Sequence, residues 1–261
     1  MTIFDTHAHY DDSRFDGDRD ELLSELPQRG VCKVINIGCD VHSSQLSLDM
    51  ADRYGHVYAA VGIHPQQSGE AEAGDIDRLR QLARHPKAVA IGEIGLDYHW
   101  QSYGENGEIP MDKEKQAFLF DSQMSLARRI GLPVVIHDRD AHGDVFEMIC
   151  RYPEVRGILH SYSGSPEMAR ELLRRGWYIS FSGVVTFKNA RNVKAAAAVV
   201  PLDRFLLETD APYLAPEPWR GKLNRSDYIA SSVRTLAEIH GVTEDEIIDY
   251  SHRNACKLFS V

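Results

Sequence analysis

Two histidines separated by one residue, His7 and His9, lie near the start of the chain and could together bind a metal ion. On a β-strand, residues two apart point to the same side, so both imidazoles would face one point. Neutral imidazole is a common ligand of divalent transition metals. A pair of this kind is a weak signal by itself, because most such histidines are ordinary hydrogen-bonded residues. The prediction therefore depends on what else reaches the same point.

Further residue types that bind metals stand at the ends of other apolar runs. Glu93 and Asp210 each close such a run, and so do His137 and His160. Together with the histidine pair they supply more ligands than one four-coordinate ion needs. Two divalent ions that share a carboxylate would match this number, and imidazole with carboxylate suits Zn, Mn or Mg. The predicted metal ligands are His7, His9, Glu93, His137, His160 and Asp210.

Eight short apolar runs, rich in β-branched residues, alternate with segments of helical periodicity. Near-continuous apolar runs are typical of parallel strands that are covered on both faces. Eight strand–helix units in 261 residues predict an α/β fold, a single (β/α)8 barrel of TIM type, forming one domain over residues 1–261. The predicted strands span residues 3–7, 33–38, 57–62, 88–93, 133–137, 155–160, 177–182 and 205–210.

The segments between these runs predict helices. Apolar residues recur there at helical spacing, and Ser165 before Pro166 is a typical helix start. Barrel enzymes place their chemistry at the C-terminal ends of the strands, where all the candidate ligands would meet. The predicted helices span residues 18–29, 43–54, 75–85, 112–130, 141–152, 166–175 and 190–200, followed by two or three extra C-terminal helices within 227–261.

The overall charge is acidic, with 29 basic and 39 acidic residues and a formal net charge of −10. This balance argues against a polybasic nucleic-acid-binding protein, but not against an enzyme that handles phosphate through metal ions. The cysteines Cys32, Cys39, Cys150 and Cys256 form no CxxC pair and are expected to be small buried hydrophobic residues with reduced thiols. No apolar run has the ~18 residues of a membrane span, and no signal-peptide pattern begins the sequence. We expect a monomeric cytoplasmic protein without membrane contact.

Six ordered motifs extend these observations. They are FDTHAH at 4–9, VGIHP at 61–65, IGEIGLDY at 91–98, LPVVIHDR at 132–139, HSYSG at 160–164 and LETDAPYL at 207–214, followed by Arg220, Gly221, Lys222 and Asn224. With these motifs the chain resembles the TatD family of metal-dependent deoxyribonucleases, a branch of the metallohydrolase barrels. The resemblance implies a TIM-type barrel that hydrolyses phosphodiester bonds of DNA, as an exonuclease acting on single strands or ends.

The resemblance also implies two metal positions that share a carboxylate. One position would use His7, His9, Glu93 and Asp210, and the other would use Glu93, His137 and His160. We expect Glu93 and Asp210 to be catalytic, with Glu93 as the bridging ligand. Asp210 is the candidate acceptor of a proton from the attacking water, although a role as ligand alone is an equal alternative.

Substrate contacts are expected from residues around the same rim. The resemblance assigns contact with the substrate phosphate to His64, Arg139, Arg220 and Lys222. The planar guanidinium of Arg139 suits a pair of phosphate oxygens, unless it forms a salt bridge with Asp97 or Glu208. His64 is equally compatible with capping the end of its strand.

Three departures from the family pattern fall on this rim. Trp219 replaces the usual histidine before the Arg-Gly-Lys run, residues 225–227 are Arg-Ser-Asp, and the loop at 98–111 is longer than usual. The departures spare the metal ligands, so they concern the preferred form of nucleic acid more than the reaction type. Aromatic residues on the rim, Tyr98, Tyr213 and Trp219, could stack on a base, but a place in the core is equally compatible with Tyr213.

Other functions stay open at this point. Amide-bond metallohydrolases of the cyclic-amidase or phosphotriesterase type share the histidine pair, but they commonly use a carbamylated lysine after strand 4, where this chain has Glu93. Hydrolysis of an ester bond on misacylated tRNA would use the same metal ligands. A barrel that serves only as a binding scaffold would not need so many ligand residues at one end.

Overall fold

The computed structural model describes residues 2–99 and 112–261. Eight parallel strands lie in sequence order, each paired with the next along the chain. The strands are β1 (Ile3–Ala8), β2 (Val31–Ile37), β3 (Val57–Val61), β4 (Ala88–Asp97), β5 (Val134–Arg139), β6 (Gly157–Leu159), β7 (Tyr178–Phe181) and β8 (Phe205–Leu207). The end of β8 meets the end of β1, where the His9 amide donates to the Ala211 carbonyl at 2.6 Å. The sheet is therefore a nearly closed (β/α)8 barrel, as the alternating pattern predicts.

Helices alternate with the strands as predicted, and two further helices follow β8. Within the described ranges the α-helices are α1 (Arg19–Glu25), α2 (Val41–Arg53), α3 (Asp75–Leu82), α4 (Lys113–Ile130), α5 (His142–Arg151), α6 (Pro166–Arg174), α7 (Arg191–Ala197), α8 (Ile229–His240) and α9 (Glu244–Phe259). None of these helices is long and apolar enough to cross a membrane.

Local sequence signals fix several of these helix ends. The Ser165 hydroxyl accepts a hydrogen bond from the Met168 amide and caps α6, and Thr243 and Glu246 form a reciprocal capping box at the start of α9. Gly131 ends α4 at φ 75°, a left-handed conformation that glycine adopts without a steric penalty. The chain can thus reverse sharply into β5, which carries one of the candidate ligands.

The barrel interior is apolar below the mouth, towards the N-terminal ends of the strands. Side chains of alternate strand residues fill it, because residues two apart share a face. Its buried members are Phe4, Ile35, Ile37, Ala60, Val89, Ala90, Val135, Ile158, Tyr178 and Leu206. Ala255 and Phe259 of α9 join this cluster, and Lys33 near the start of β2 lies 3.5 Å from the Cys256 Sγ. The last turns of α9 therefore close the N-terminal end of the barrel.

Strand ends differ from the sequence predictions where the backbone turns away from the sheet. The strand β4 continues to Asp97, whereas β6 and β8 stop at Leu159 and Leu207. Ser161 and Asp210, just beyond the two shorter strands, have φ values of 40° and 60°, so extended pairing ends before them. His160 and Asp210 consequently lie on turns at the mouth rather than within strands.

Two sequence predictions about organisation stay predictions, namely the single domain and the monomeric state. All four cysteines are free thiols, as expected, but the prediction that they are buried is wrong, because Cys150 is exposed and the other three are half-buried. Most of the long loop predicted at 98–111 lies outside the described residues.

Candidate metal centre

The six candidate ligands lie together at the C-terminal end of the barrel. β1, β4 and β5 carry His7, Glu93 and His137 directly, and His9 follows β1 by one residue. The site is enclosed, because His7 is fully buried and Glu93 is 2% exposed. Next to His137, Gly95 has φ 144°, and a Cβ there would clash with the His137 carbonyl. Glycine therefore lets β4 and β5 approach closely beside the two ligands.

Glu93 occupies the middle of this arrangement. Its Oε2 faces the histidine pair, lying 3.3 Å from His7 Nε2 and 3.8 Å from His9 Nε2. Its Oε1 faces the opposite side, at 2.7 Å from both His137 Nδ1 and His160 Nε2. One carboxylate thus presents its two oxygens to two separate groups of imidazoles, which is the arrangement expected of a bridging ligand.

The imidazole nitrogens are crowded in a way that suits a cation. His7 Nε2 lies 3.1 Å from His9 Nε2, and His137 Nδ1 lies 3.2 Å from His160 Nε2. Neutral nitrogens that face each other at this distance share at most one proton, whereas a metal ion can accept both lone pairs. Three sets of ligand atoms lie within 4.8 Å of one another: His7, His160 and Asp210; His7, His9 and Glu93; and His64, Glu93 and His137.

Charges in the centre are strongly coupled. Burial would raise the pKa of Glu93, but His160 and His7 hold that pKa well below its usual range. Burial lowers the pKa of His7, and the neighbouring His160 lowers it further. Burial also acts to lower the pKa of His160, yet the carboxylates of Glu93 and Glu208 raise it well above the usual value. Glu93 is therefore a carboxylate, and an imidazole such as His160 would release a proton on binding a metal.

Three of the candidate ligand histidines contact a fixed acceptor through their second ring nitrogen. His9 Nδ1 lies 3.0 Å from the Ile37 carbonyl, and His137 Nε2 lies 3.2 Å from Asp97 Oδ2. His160 Nδ1 lies 3.5 Å from Glu208 Oε1. Such partners fix the orientation of a ligating imidazole and its tautomer. Of these three contacts, the one at His160 Nδ1 is too loose to count as a hydrogen bond, and the buried His7 Nδ1 likewise has no hydrogen-bond partner among the described residues.

Asp97 and Glu208 thus have a role that the sequence reasoning missed. They were considered as salt-bridge partners of Arg139, but each lies beside a ligand histidine instead. Each carboxylate lies close in sequence to a candidate ligand: Asp97 follows Glu93 by four residues, and Glu208 precedes Asp210 by two. That proximity in sequence was the available signal.

Asp5 connects β1, which carries His7, to the segment after β8, which carries Asp210. Its Oδ1 accepts hydrogen bonds from the amides of His7 and Thr209, and its Oδ2 accepts from the hydroxyls of Thr209 and Ser226. Burial raises the pKa of Asp5 to about 6, against the effect of these donors. The network ties β1 to the segment after β8, so it fixes the spacing between His7 and Asp210.

His64 lies closer to the candidate ligands than a residue of the outer rim would. Its Nε2 is 3.6 Å from Glu93 Oε1, and its Nδ1 accepts a hydrogen bond from the Gln66 amide. Burial and the neighbouring His137 lower the pKa of His64 to about 3. A neutral, buried imidazole at this position can act as a metal ligand or as a hydrogen-bond donor.

The other predicted substrate residues lie on the exposed rim. Arg139 is exposed at the end of β5, and no ion pair involving its guanidinium occurs among the residues that the structure describes. The guanidinium of Arg220 lies 4.0 Å from the Phe187 ring centroid, and Lys222 Nζ lies 5.2 Å from that of Trp219. Arg220 and Lys222 are thus positioned by aromatic rings and have no ion pair with a carboxylate among the described residues, so their charge is available to a phosphate.

The fold agrees with comparisons to known proteins. A profile of the family described as "TatD related DNase" matches residues 4–260. The chain belongs to the TatD family of metal-dependent hydrolases. It is 37% identical to the uncharacterized metal-dependent hydrolase YabD of Bacillus subtilis, over 99% of both chains.

Two other TatD relatives are informative. The crystal structure of YjjV from Escherichia coli K12 superposes with a TM-score of 0.89 at 32% identity, covering 99% of this chain and 98% of that chain. A protein of Cronobacter sakazakii named 3'-5' ssDNA/RNA exonuclease TatD is 31% identical, over 98% of this chain and 97% of its own length. The similarity to each extends over nearly the whole chain.

Proposed function

We propose that this TatD-family protein hydrolyses phosphodiester bonds of nucleic acid with two divalent metal ions. Its proposed substrate is single-stranded DNA or a free DNA end, from which it would act as an exonuclease. The observation that carries the proposal is the position of Glu93, whose two oxygens face two separate groups of imidazoles. The name of the Cronobacter relative supports nucleic acid as the substrate class.

The proposed cofactors are two ions of Mg, Mn or Zn. A ligand set dominated by imidazole favours Zn or Mn over Mg, which prefers oxygen ligands. One ion would be held by His7, His9, Glu93 and Asp210, and the other by Glu93, His137 and His160. Bound ions would lower the pKa of an attacking water towards about 7 and neutralise charge on the phosphate.

Asp210 is the proposed proton acceptor. Its carboxylate lies 3.5 Å from His9 Nε2 and 3.6 Å from His7 Nε2, and its side chain is 14% exposed. Burial would raise its pKa, but the hydrogen bond with His9 and the charges of His7 and His160 lower that pKa below its usual value. Asp210 is therefore ionised at neutral pH and stands at the opening, where water enters, so it can take up a proton.

The proposed phosphate contacts are Arg139, Arg220, Lys222 and His64. The first three carry charge on an exposed rim, and the buried His64 is closest to Glu93. Because the whole chain has a net charge of −10, most of its surface repels a polyanion. Binding would then be limited to the mouth of the barrel, which suits a single strand or an end better than a long duplex.

The test uses single-stranded and duplex DNA and RNA, labelled at either end, with metal-free protein resupplied with Mg²⁺, Mn²⁺ or Zn²⁺. We expect progressive shortening of single strands from one end when a metal is present, and no cleavage in excess chelator. The Glu93→Gln variant serves as the control for contaminating nucleases. Cleavage by that variant at the wild-type rate, or deacylation of misacylated tRNA without any backbone cleavage, would overturn the proposal.

A charge-matched pair of variants tests the proposed phosphate contact. Lys222→Ala at the rim and Lys257→Ala at the other end of the barrel remove the same charge from exposed positions. We expect Lys222→Ala to raise KM several-fold with little change in kcat, and Lys257→Ala to change neither. A fall in kcat alone for Lys222→Ala would contradict a role in holding the phosphate.

A further inference from the structure

Tyr213 is an exposed aromatic residue at the edge of the metal centre. It is 46% exposed, and its ring meets the His9 ring edge-on, with 6.2 Å between centroids. Its backbone is held on both sides, because its amide donates to the Asp210 carbonyl at 2.7 Å and its carbonyl accepts from Asn224 Nδ2 at 2.7 Å. The ring is thus fixed to the same turn that carries Asp210.

Arg14 lies over the Tyr213 ring, with 4.3 Å between the guanidinium carbon and the ring centroid. Asp12 holds the guanidinium through two hydrogen bonds, at 2.8 Å to Nε and 2.6 Å to the terminal nitrogen. The Tyr213 hydroxyl also donates to Asp12, at 3.3 Å. Even so, 44% of the Arg14 side chain is exposed. Asp12 thus holds Arg14 over the Tyr213 ring at the mouth, and we call these two residues the Tyr213–Arg14 pair.

The chemistry of this pair differs from that of the other cations on the rim. The charge of Arg14 is neutralised by Asp12, and that ion pair lowers the pKa of Asp12 to about 2, so the carboxylate is present throughout the neutral range. A neutralised guanidinium is a poor phosphate ligand compared with Arg139 or Lys222. A tyrosine ring with a guanidinium over it is, however, a surface on which nucleobases stack.

The other rim aromatics also have a cation over the ring, but their partners are different from those of Tyr213. Trp219 stacks on Tyr228 with 4.7 Å between centroids and 10° between planes, and Lys222 Nζ lies above it. Tyr98 lies under Lys113 Nζ at 3.9 Å, and its hydroxyl donates to Asp144. Of the three aromatic residues expected to face a base, Tyr213 is the one placed directly beside the candidate ligands.

We infer that the Tyr213–Arg14 pair is a binding site for a nucleobase, namely the base of a nucleotide whose phosphate is at the metal centre. The inference rests on the proposed nuclease function and deepens it. Stacking accepts every base, because each has a π-face, so the site would select for an unpaired base and not for sequence. A base inside a duplex is stacked on its neighbours and unavailable, which gives a physical reason for a preference for single strands or frayed ends.

The test is a cycle that combines a protein variant with a substrate lacking a base. Oligodeoxynucleotides of one sequence are compared with versions that carry a tetrahydrofuran abasic residue at the terminal or the penultimate position of the attacked end. For wild-type protein, loss of the stacked base should lower kcat/KM about 5- to 100-fold, mainly through KM. Tyr213→Ala should lose a similar factor on the intact strand and lose nothing further on the abasic one.

Two further variants make the readout specific. Tyr213→Phe keeps the ring and should retain most of the wild-type discrimination between intact and abasic strands. Phe118→Ala removes an aromatic ring that is 68% exposed on α4, and it should leave both substrates unaffected. Metal content is measured for each protein, because Tyr213→Ala should bind metal as the wild type does.

The outcomes separate this inference from the proposed function. If the wild-type protein cleaves normally but Tyr213→Ala lowers kcat/KM by the same factor on intact and abasic strands, the stacking site alone is overturned. A fall in the metal content of Tyr213→Ala that accounts for its whole loss of activity would overturn it too. Failure of the wild-type protein to cleave any strand with any metal would overturn the proposed function and the stacking site with it. Coupling between the ring and the base, restored by Tyr213→Phe, would establish the site.

Discussion

At the N-terminal end of the barrel, Phe4 and Phe259 face each other with 6.4 Å between ring centroids, inside a cluster of apolar side chains. At the C-terminal end, the same strands bring imidazole nitrogens to within 3.1 and 3.2 Å of one another around the Glu93 carboxylate. Burial of apolar side chains at the first end stabilises the fold, whereas the second end concentrates polar groups that are costly to bury. The barrel thus separates its stability from its chemistry along one axis.

The largest effect should follow a change at the C-terminal end. Glu93→Gln removes the charge shared by both proposed metal positions, and hydrolysis should fall about 10⁴-fold or more, a barrier increase of at least about 5.5 kcal/mol. The free energy of unfolding in urea should differ by less than about 1 kcal/mol between the metal-free variant and the metal-free wild type. A variant that keeps its activity but unfolds at a much lower urea concentration would show that Glu93 contributes to stability. The contrast between the two ends of the barrel would then be wrong.

The reverse pattern is expected at the other end. Phe259→Ala should lower the free energy of unfolding by about 3–5 kcal/mol, because the ring is 3% exposed and its removal leaves a cavity. Activity and metal content per folded molecule should be unchanged. Phe118→Ala, at a ring that is 68% exposed, is the matched control and should change stability by less than about 0.5 kcal/mol. Loss of metal affinity in Phe259→Ala at unchanged stability would show that the two ends are coupled.

A smaller effect should distinguish side chains within the C-terminal end. Asp97→Asn weakens the partner of His137 Nε2, and we expect metal affinity to fall about 10- to 100-fold. Asp144→Asn on the same rim removes a hydrogen bond to the Tyr98 hydroxyl and should leave affinity unchanged. Competition with a chelator of known affinity measures both. Equal losses in the two variants would mean that the rim as a whole, and not the contact with His137, sets the affinity.

The smallest effect concerns the ion pair of His142 with Asp138 at the rim, in which the histidine is not a candidate metal ligand. The hydrogen bond to Asp138 raises the pKa of His142, whose side chain is 39% exposed. Because the folded-state pKa is the higher one, the pair stabilises fully below about pH 6.5, and this stabilisation is lost as the pH rises through the folded-state pKa. Solvent screening limits it to under about 1 kcal/mol.

Urea unfolding of wild type and His142→Gln at pH 6 and pH 9 measures this contribution. The difference between the two proteins should be present at pH 6 and should vanish at pH 9. A difference that is larger at pH 9 would mean that the neutral imidazole stabilises the fold, and the assigned ion pair would be wrong. A difference of several kcal/mol would contradict the view that the rim contributes little stability.

The eight strands and the positions of the candidate ligands could be predicted because they depend on local pattern. Runs such as 134–136 are apolar without alternation, which parallel strands with two covered faces require, and each candidate ligand stands at the end of such a run. Parallel strands in a barrel bring those ends to one face, so residue type and position in the run were enough to group the ligands.

The remaining features depend on geometry between strands. Whether Asp97 and Glu208 face Arg139 or the ligand histidines is decided by where neighbouring strands place their side chains, which no local pattern contains. Asp5 connects β1 to Thr209 and Ser226, residues that are distant in sequence, and no local pattern at either position predicts the contact. Tyr213 was equally compatible with core and rim because its exposure follows from the left-handed turn at Asp210.

The closure of the barrel by α9 has a consequence for synthesis. Ala255 and Phe259 complete an interior whose other members begin at Phe4, so almost the whole sequence must leave the ribosome before that interior is sealed. A nascent chain that has released β8 but not α9 presents an open apolar funnel to chaperones and proteases. A chain that stopped before α9 would hold the candidate metal centre on a barrel whose opposite end is open.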